Sequence, residues 1–437
     1  MPGILEHPKA QGLLQAAVLS PLEIGGCSQR LHSFLQRYLP SFLRSEQRTN
    51  ATVVLRGKLS GLGRKTSEPI ANEAGVHRRP IQEFVGHGAW DDHALLAELR
   101  HHIRHAWGDR RAVLIIDPSS FPKKGVESCG VDRQWCGRLG KVDNCQVGTF
   151  LFYACRRGHA PLDHQLWLPK GWIDDAGRRE KTHVPKGVAY QERWEVALEM
   201  IERAKEIPHA WVTADAEFGR VEEFRATLRE RGESYLLDVG GETLVRDLDR
   251  AVEQPKRRRG CEKKAPWENV AAWAARQPAE SWERFEVRAG EKGPIVVEAI
   301  TARVQTPRGP EERLVVTRSA QGEPEFHYRL SNAGAGVSLR EMVRAGSERH
   351  RAEQVLQEGK GEVGLGQYEV RSWVGWHHHM TLSLLALWFL ALERGRVGGG
   401  KDTADGVATA RDIHAAAASS TPHRTADRGR DQSCAAA

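Results

Sequence analysis

Two short apolar runs, Ala112–Ile116 and Trp211–Ala214, each stop on an aspartate, Asp117 and Asp215. Continuous apolar runs of four to eight residues read as fully buried strands, and a chain that interleaves such strands with amphipathic helices folds as α/β. The interleaving is visible here. Thr149–Cys155 and Leu162–Leu168 read as two strands split by the turn-prone RRGHAP. Trp194, Ala197, Leu198 and Ile201 mark one helix, Val221, Phe224 and Leu228 another, and Tyr235–Val239 a fifth strand. The predicted order is three strands, helix, strand, helix, strand: a mixed five-stranded sheet spanning residues 106–239.

Helical spacing dominates residues 1–105, where Leu31, Phe34, Leu35 and Tyr38 share one face. Ser67 reads as an N-cap with Pro69 close behind, Ala74 and Gly75 as a sharp turn, and a second short helix opens on Arg78 and Arg79. This pattern fits a helix-turn-helix or a plain helical hairpin. Residues 240–335 read as a β-rich insertion headed by the basic stretch Lys256, Arg257, Arg258, Arg259, Lys263 and Lys264. In 336–394, Ser338-x-x-Glu341 is a capping box predicting one helix to about Glu362, followed by an apolar helix over His379–Leu392. Residues 395–437 are low in complexity and are expected to be disordered.

With 437 residues, 40% hydrophobic and 28% charged, the chain reads as several packed domains. Its 64 basic and 57 acidic residues, net +7, permit a polyanionic partner. No apolar run reaches the roughly 18 residues of a membrane span, and the N-terminus lacks the layout of a secretory signal. Seven dispersed cysteines without paired zinc spacing predict free thiols and a cytoplasmic protein.

In an open α/β sheet, ligand sites form beyond the carboxyl ends of strands. A crossover would make the strands ending at Asp117 and Asp215 parallel neighbours. Their carboxylates would then repel, or recruit a cation such as Mg2+; the plainer reading is that each caps its own turn. Arg349, Glu353 and Lys360 lie at offsets of four and eleven, about 40° and 20° apart around a helix, so they form one stripe. Spacing alone also fits an ordinary surface ion pair. Trp373 and Trp376 read as core or as base-stacking residues. His377–His379 cannot converge on one ion from consecutive helical positions, and read as a surface-to-core transition.

The segments VLIIDPSSFPKKG around Asp117, WVTADAEFG around Asp215, R-x3-E-x6-K at Arg349, Glu353 and Lys360, and GEVGLGQYEVRSW after it resemble bacterial insertion-sequence transposases of the DDE superfamily; KTSEPIANEAGVHRRPIQEF does so in the N-terminal part. One departure is Gly346, where that family often has tyrosine. The resemblance implies an RNase H-like domain interrupted by the insertion. It implies that Asp117, Asp215 and Glu353, the last in preference to Glu362 or Glu369, hold two Mg2+ ions, with Mn2+ as an alternative. Arg349 and Lys360 would grip phosphates, and Arg78, Arg79 and Lys256–Arg259 would contact DNA. The expected partners are double-stranded DNA, as terminal inverted repeats and target, and a second protomer; when bound, the protein would associate with the nucleoid. Two neighbouring readings stay open: an inactive DNA-binding regulator, and a nuclease without strand transfer.

Overall fold

The computed structural model describes residues 21–252, 263–290 and 293–397. Lys256, Arg257, Arg258 and Arg259, and the tail beyond Val397, lie outside the described residues.

Among the described residues five α-helices come first: α1 (Pro21–Tyr38), α2 (Ser45–Lys58), α3 (Ser67–Glu73), α4 (Arg78–Gly86) and α5 (Asp92–Trp107). Leu31, Phe34, Leu35 and Tyr38 are all buried, as their spacing requires. α2, α3 and α4 pack on one another. The α3–α4 turn places Gly75 at φ 64°, a left-handed conformation that a side chain would oppose. The N-cap of α3 is Thr66, so Ser67 is the first helical residue instead of the cap.

The first sheet contains β1 (Val113–Pro122), β2 (Asp132–Cys136), β3 (Lys141–Cys155), β4 (Gly158–Leu166) and, after helices α6 (Lys170–Ile173), α7 (Ala176–Lys181) and α8 (Arg193–Ala204), strand β5 (Trp211–Ala214). β1 lies between β3, antiparallel, and β5, parallel, while β2 and β4 both pair with β3. Its five strands are not quite the predicted five. The β2–β3 hairpin was not foreseen, because Asp132–Cys136 is mostly exposed and carries no apolar run. After α9 (Ala216–Gly219) and α10 (Glu222–Glu230), the expected fifth strand, β6 (Leu236–Val239), meets this sheet only through the parallel bridge Val212–Tyr235.

β6 pairs instead with the insertion, made of β7 (Leu244–Asp247), β8 (Glu268–Asn269), α11 (Val270–Ala275), β9 (Glu283–Gly290), β10 (Gly293–Gln305), β11 (Glu311–Ser319) and β12 (Phe326–Ser331). The second sheet runs β6-β12-β11-β10-β7-β8, with β9 beside β10. Alternation along β11 sends Leu314 and Val316 into a small core with Val270 and Trp273, and Val315 into the main core.

The predicted single helix from Ser338 is two, α12 (Leu339–Ser347) and α13 (His350–Glu362). Ser338 Oγ accepts the Glu341 N–H as expected. The break comes where backbone N–H groups of Glu348, Arg349, Arg351 and Ala352 bond three residues back instead of four, tightening the chain into a turn. α14 (Trp373–Val397) is 25 residues long, starting well before the predicted His379. It is apolar on nearly every side because it packs against β4 and five other helices.

The three histidines correct the surface-to-core reading, since all are buried. His377 Nδ1 meets the Trp373 carbonyl, His378 stacks on Trp90 with ring centroids 3.6 Å apart, and His379 Nε2 meets the Leu365 carbonyl. Burial pushes all three imidazoles below their usual range. Trp376 is buried and Trp373 half-buried. Cys27, Cys129, Cys136, Cys145 and Cys155 are free and buried. Among the described residues, no helix is long and apolar enough to cross a membrane.

Candidate active site

The register of the β1–β5 pair sets Ile116 against Ala214, so Asp117 and Asp215 follow side by side where the parallel strands part. Asp215 also caps α9, its Oδ1 accepting the Glu217 N–H at 3.0 Å. The plainer reading of a strand-end aspartate is therefore true of Asp215, though it engages one oxygen only. Asp117 is held from another direction: Arg349 Nη1 donates to its Oδ1 at 3.2 Å.

Arg349 organises the site. It stands at the head of α13, just past the tight turn, where its guanidinium reaches β1, β6 and its own helix together. Besides Asp117, it pairs through Nε with Asp238 Oδ2 at 2.9 Å and through Nη2 with Glu353 Oε1 at 3.7 Å. Lys360 completes the predicted stripe: its ammonium lies 5.8 Å from the Phe121 ring centre on β1, near enough to Asp117 for the two charges to act on each other. Burial and nearby Arg138 hold the Lys360 pKa below its ordinary value, against the pull of Asp117.

The electrostatics follow from burial and crowding. Asp117 is pushed up to about 7, first by burial, then by Asp215 and Glu353, with Arg349 and Lys360 opposing the rise. Burial also raises Asp215, which Arg349 and two backbone N–H groups counter and Asp238 reinforces. Glu353 stays exposed at the rim.

Among the described residues, no three acidic, histidine or cysteine side chains stand close enough together to hold a metal ion as arranged. The donor chemistry nonetheless suits one. Asp117, Asp215 and Glu353 offer hard carboxylate oxygens with too little positive charge among them, the composition that binds a hard divalent cation. Arg349 is the cation now standing among these acids.

Sequence reading missed Asp238. It lies inside the short strand YLLDV, with nothing local to separate it from any half-buried strand aspartate; it meets Arg349 only through the tertiary placement of the α12–α13 turn beside β6. Of the predicted DNA contacts, Arg78 and Arg79 are exposed at the start of α4, and Arg78 is ion-paired with Glu68. Glu369, the rejected third acid, pairs with Arg64 on the surface.

A family model described as DDE superfamily endonuclease matches residues 37–294, a span that holds Asp117, Asp215 and Asp238 and stops short of Glu353. The chain is also similar to a probable transposase for insertion sequence element IS701 from Microchaete diplosiphon, with 27% identity over 198 residues, 44% of this chain and 49% of that protein. The chain thus spans about half the length of this curated relative. The model match covers more than half of the sequence, and the chain belongs to the DDE superfamily endonucleases.

Proposed function

We propose that this protein is an insertion-sequence transposase that cuts DNA at element ends and joins those ends to a target. The observation that supports the reading is Arg349, which donates to Asp117 at 3.2 Å and stands 3.7 Å from Glu353, with Asp215 following the strand beside Asp117. We read the first sheet, continued through the Val212–Tyr235 bridge into β6, as an RNase H-like sheet with the order β4-β3-β1-β5-β6. α3 and α4, joined at Gly75, are read as a helix-turn-helix presenting Arg78 and Arg79 to DNA phosphates.

Asp117, Asp215 and Glu353 would hold Mg2+, taken as two ions, with Mn2+ as an alternative. Bound there, the metal supplies Lewis acidity for the attacking and leaving oxygens of an in-line displacement at phosphorus. The chain's own part is positioning and charge. Lys360 and Arg349 flank the acids and would hold phosphate oxygens beside them, Arg349 through its planar fork. Buried β1 and β5 fix the two aspartates, while the exposed Glu353 is free to adjust. Pairing of two element ends calls for at least two protomers.

The test is incubation with the DNA flanking the gene and Mg2+, mapping new 3′ ends and scoring joining to a target plasmid. Cleavage with joining supports transposition, and cleavage alone would leave a nuclease. End binding with neither would leave the inactive regulator.

A further inference from the structure

Asp238 touches neither strand end of the first sheet, yet it meets the site's central arginine. Its register partner across the β6–β12 pair is Arg329. Arg329 Nε lies 2.7 Å from Asp238 Oδ1, and Arg329 Nη1 donates to Thr317 Oγ1 on β11 at 3.1 Å. The other carboxylate oxygen, Oδ2, faces Arg349 Nε at 2.9 Å. One acid thus forms ion pairs with two guanidiniums, the Arg329 contact lacking hydrogen-bond alignment, one guanidinium fixed in the inserted sheet and one reaching into the candidate active site.

This division of Arg349 has a chemical consequence. A guanidinium prefers a parallel two-point pairing with a single carboxylate. Here the Nε edge lies against Asp238 as a 2.9 Å ion pair, Asp117 receives one bond at 3.2 Å and Glu353 only a 3.7 Å approach. Freed from Asp238, the fork could close on Asp117 or Glu353 and neutralise the acids that a cation must use.

We propose that Asp238 is a positioning residue that holds Arg349 by its Nε edge, keeps the guanidinium from closing on Asp117 and Glu353, and so ties the placement of the inserted sheet to the metal-binding competence of the site. This rests on the reading of Asp117, Asp215 and Glu353 as metal ligands. Asp238 acts through Arg349 and contacts neither metal nor DNA.

The experiment is a Mn2+ titration of the full chain without DNA, followed by electron paramagnetic resonance, on wild type, Asp238→Asn, Arg349→Gln and the double variant. Asp238→Asn is expected to weaken Mn2+ binding about tenfold, the lower end of what losing an outer-shell partner costs. Arg349→Gln is expected not to weaken it. In the double variant the loss caused by Asp238→Asn disappears, which a general structural role would not produce. Unchanged affinity in Asp238→Asn overturns the proposal. An equal loss in the Arg349→Gln background also overturns it, since Asp238 would then act without Arg349. If Asp238→Asn does not fold, Asp238→Glu keeps the charge but displaces it by one methylene, and the same dependence on Arg349 is required. Asp117→Asn serves as the separate control: Mn2+ binding as tight as wild type in that variant would sink the ligand assignment itself.

Discussion

Arg329 fills the space over Gly346. A β-carbon on Gly346 would stand 3.0 Å from Arg329 Nε and 3.0 Å from Leu236 Cδ2. The space that a larger side chain at Gly346 would need is therefore occupied by an arginine from the inserted sheet, which accounts for a glycine in the last turn of α12. Gly346→Ala is expected to destabilise the fold by about 1–3 kcal/mol, the usual cost of overpacking, read from the urea midpoint. Gly346→Tyr should be worse alone and partly recovered when combined with Arg329→Ala; no recovery would mean that Arg329 is not what fills the space.

Asp117→Asn separates stability from chemistry. The carboxylate is buried among other acids, so its charge works against the fold until a cation arrives. We expect Mg2+-dependent cleavage to fall by at least about a thousandfold while binding to element ends persists. In metal-free buffer the variant should unfold at a urea concentration no lower than wild type. A clear drop in that midpoint would argue that Asp117 serves the fold.

Lys58 gives a stability that depends on pH. It is wholly buried at the end of α2, donating to Ser383 at 2.8 Å, with Lys65 and His379 close by and, among the described residues, no carboxylate acting on it. Burial, then Lys65, lowers its pKa from 10.5 to about 7. Between those values the unfolded chain binds more protons, so stability rises with pH across that window, and the full penalty is present below about 7. Lys65, lowered to about 8 by burial, acts in the same direction. Lys58→Met should be the more stable protein at pH 6, with an advantage that shrinks as pH rises above about 7 and vanishes only near 10.5, as followed by urea unfolding across pH.

Glu358 behaves oppositely. Burial alone would raise its pKa, but His159 and Arg394 hold it at about 2. Arg394 Nη2 lies 2.6 Å from Glu358 Oε2, and Nη1 meets the other oxygen, joining α13 to α14. The lowered value contributes stability above the ordinary 4.5, lost as pH falls toward 2. Glu358→Gln should cost about 3 kcal/mol at neutral pH, because Arg394 is left largely buried without its anion. The loss should shrink in acid; a cost independent of pH would point to packing instead.

Strands were legible where they are apolar runs: Val113–Ile116 and Trp211–Ala214 announced both themselves and the aspartates that end them. β2 was not, since only Cys136 at its end is buried, in a small cluster with Cys145 and Val147, leaving no run to see. Glu353 and Lys360 ride on α13 and Arg349 is its N-cap with helical dihedrals, so the three keep their phase although the helix expected to carry them breaks after Ser347. Asp238 and Arg329 were invisible for a different reason. Their roles come from cross-strand register between segments about ninety residues apart, and no local pattern encodes a partner at that distance.

The placement of β6 bears on attempts to shorten the protein. Bridged to one sheet at Tyr235 and hydrogen-bonded to the other from Leu236 to Val239, it works as a shared seam. Excising the insertion as a cassette would tear out β12 and leave that seam with a raw edge beside Arg349. Any minimal version must keep β11 and β12 and trim from the far side, at β7 and β8.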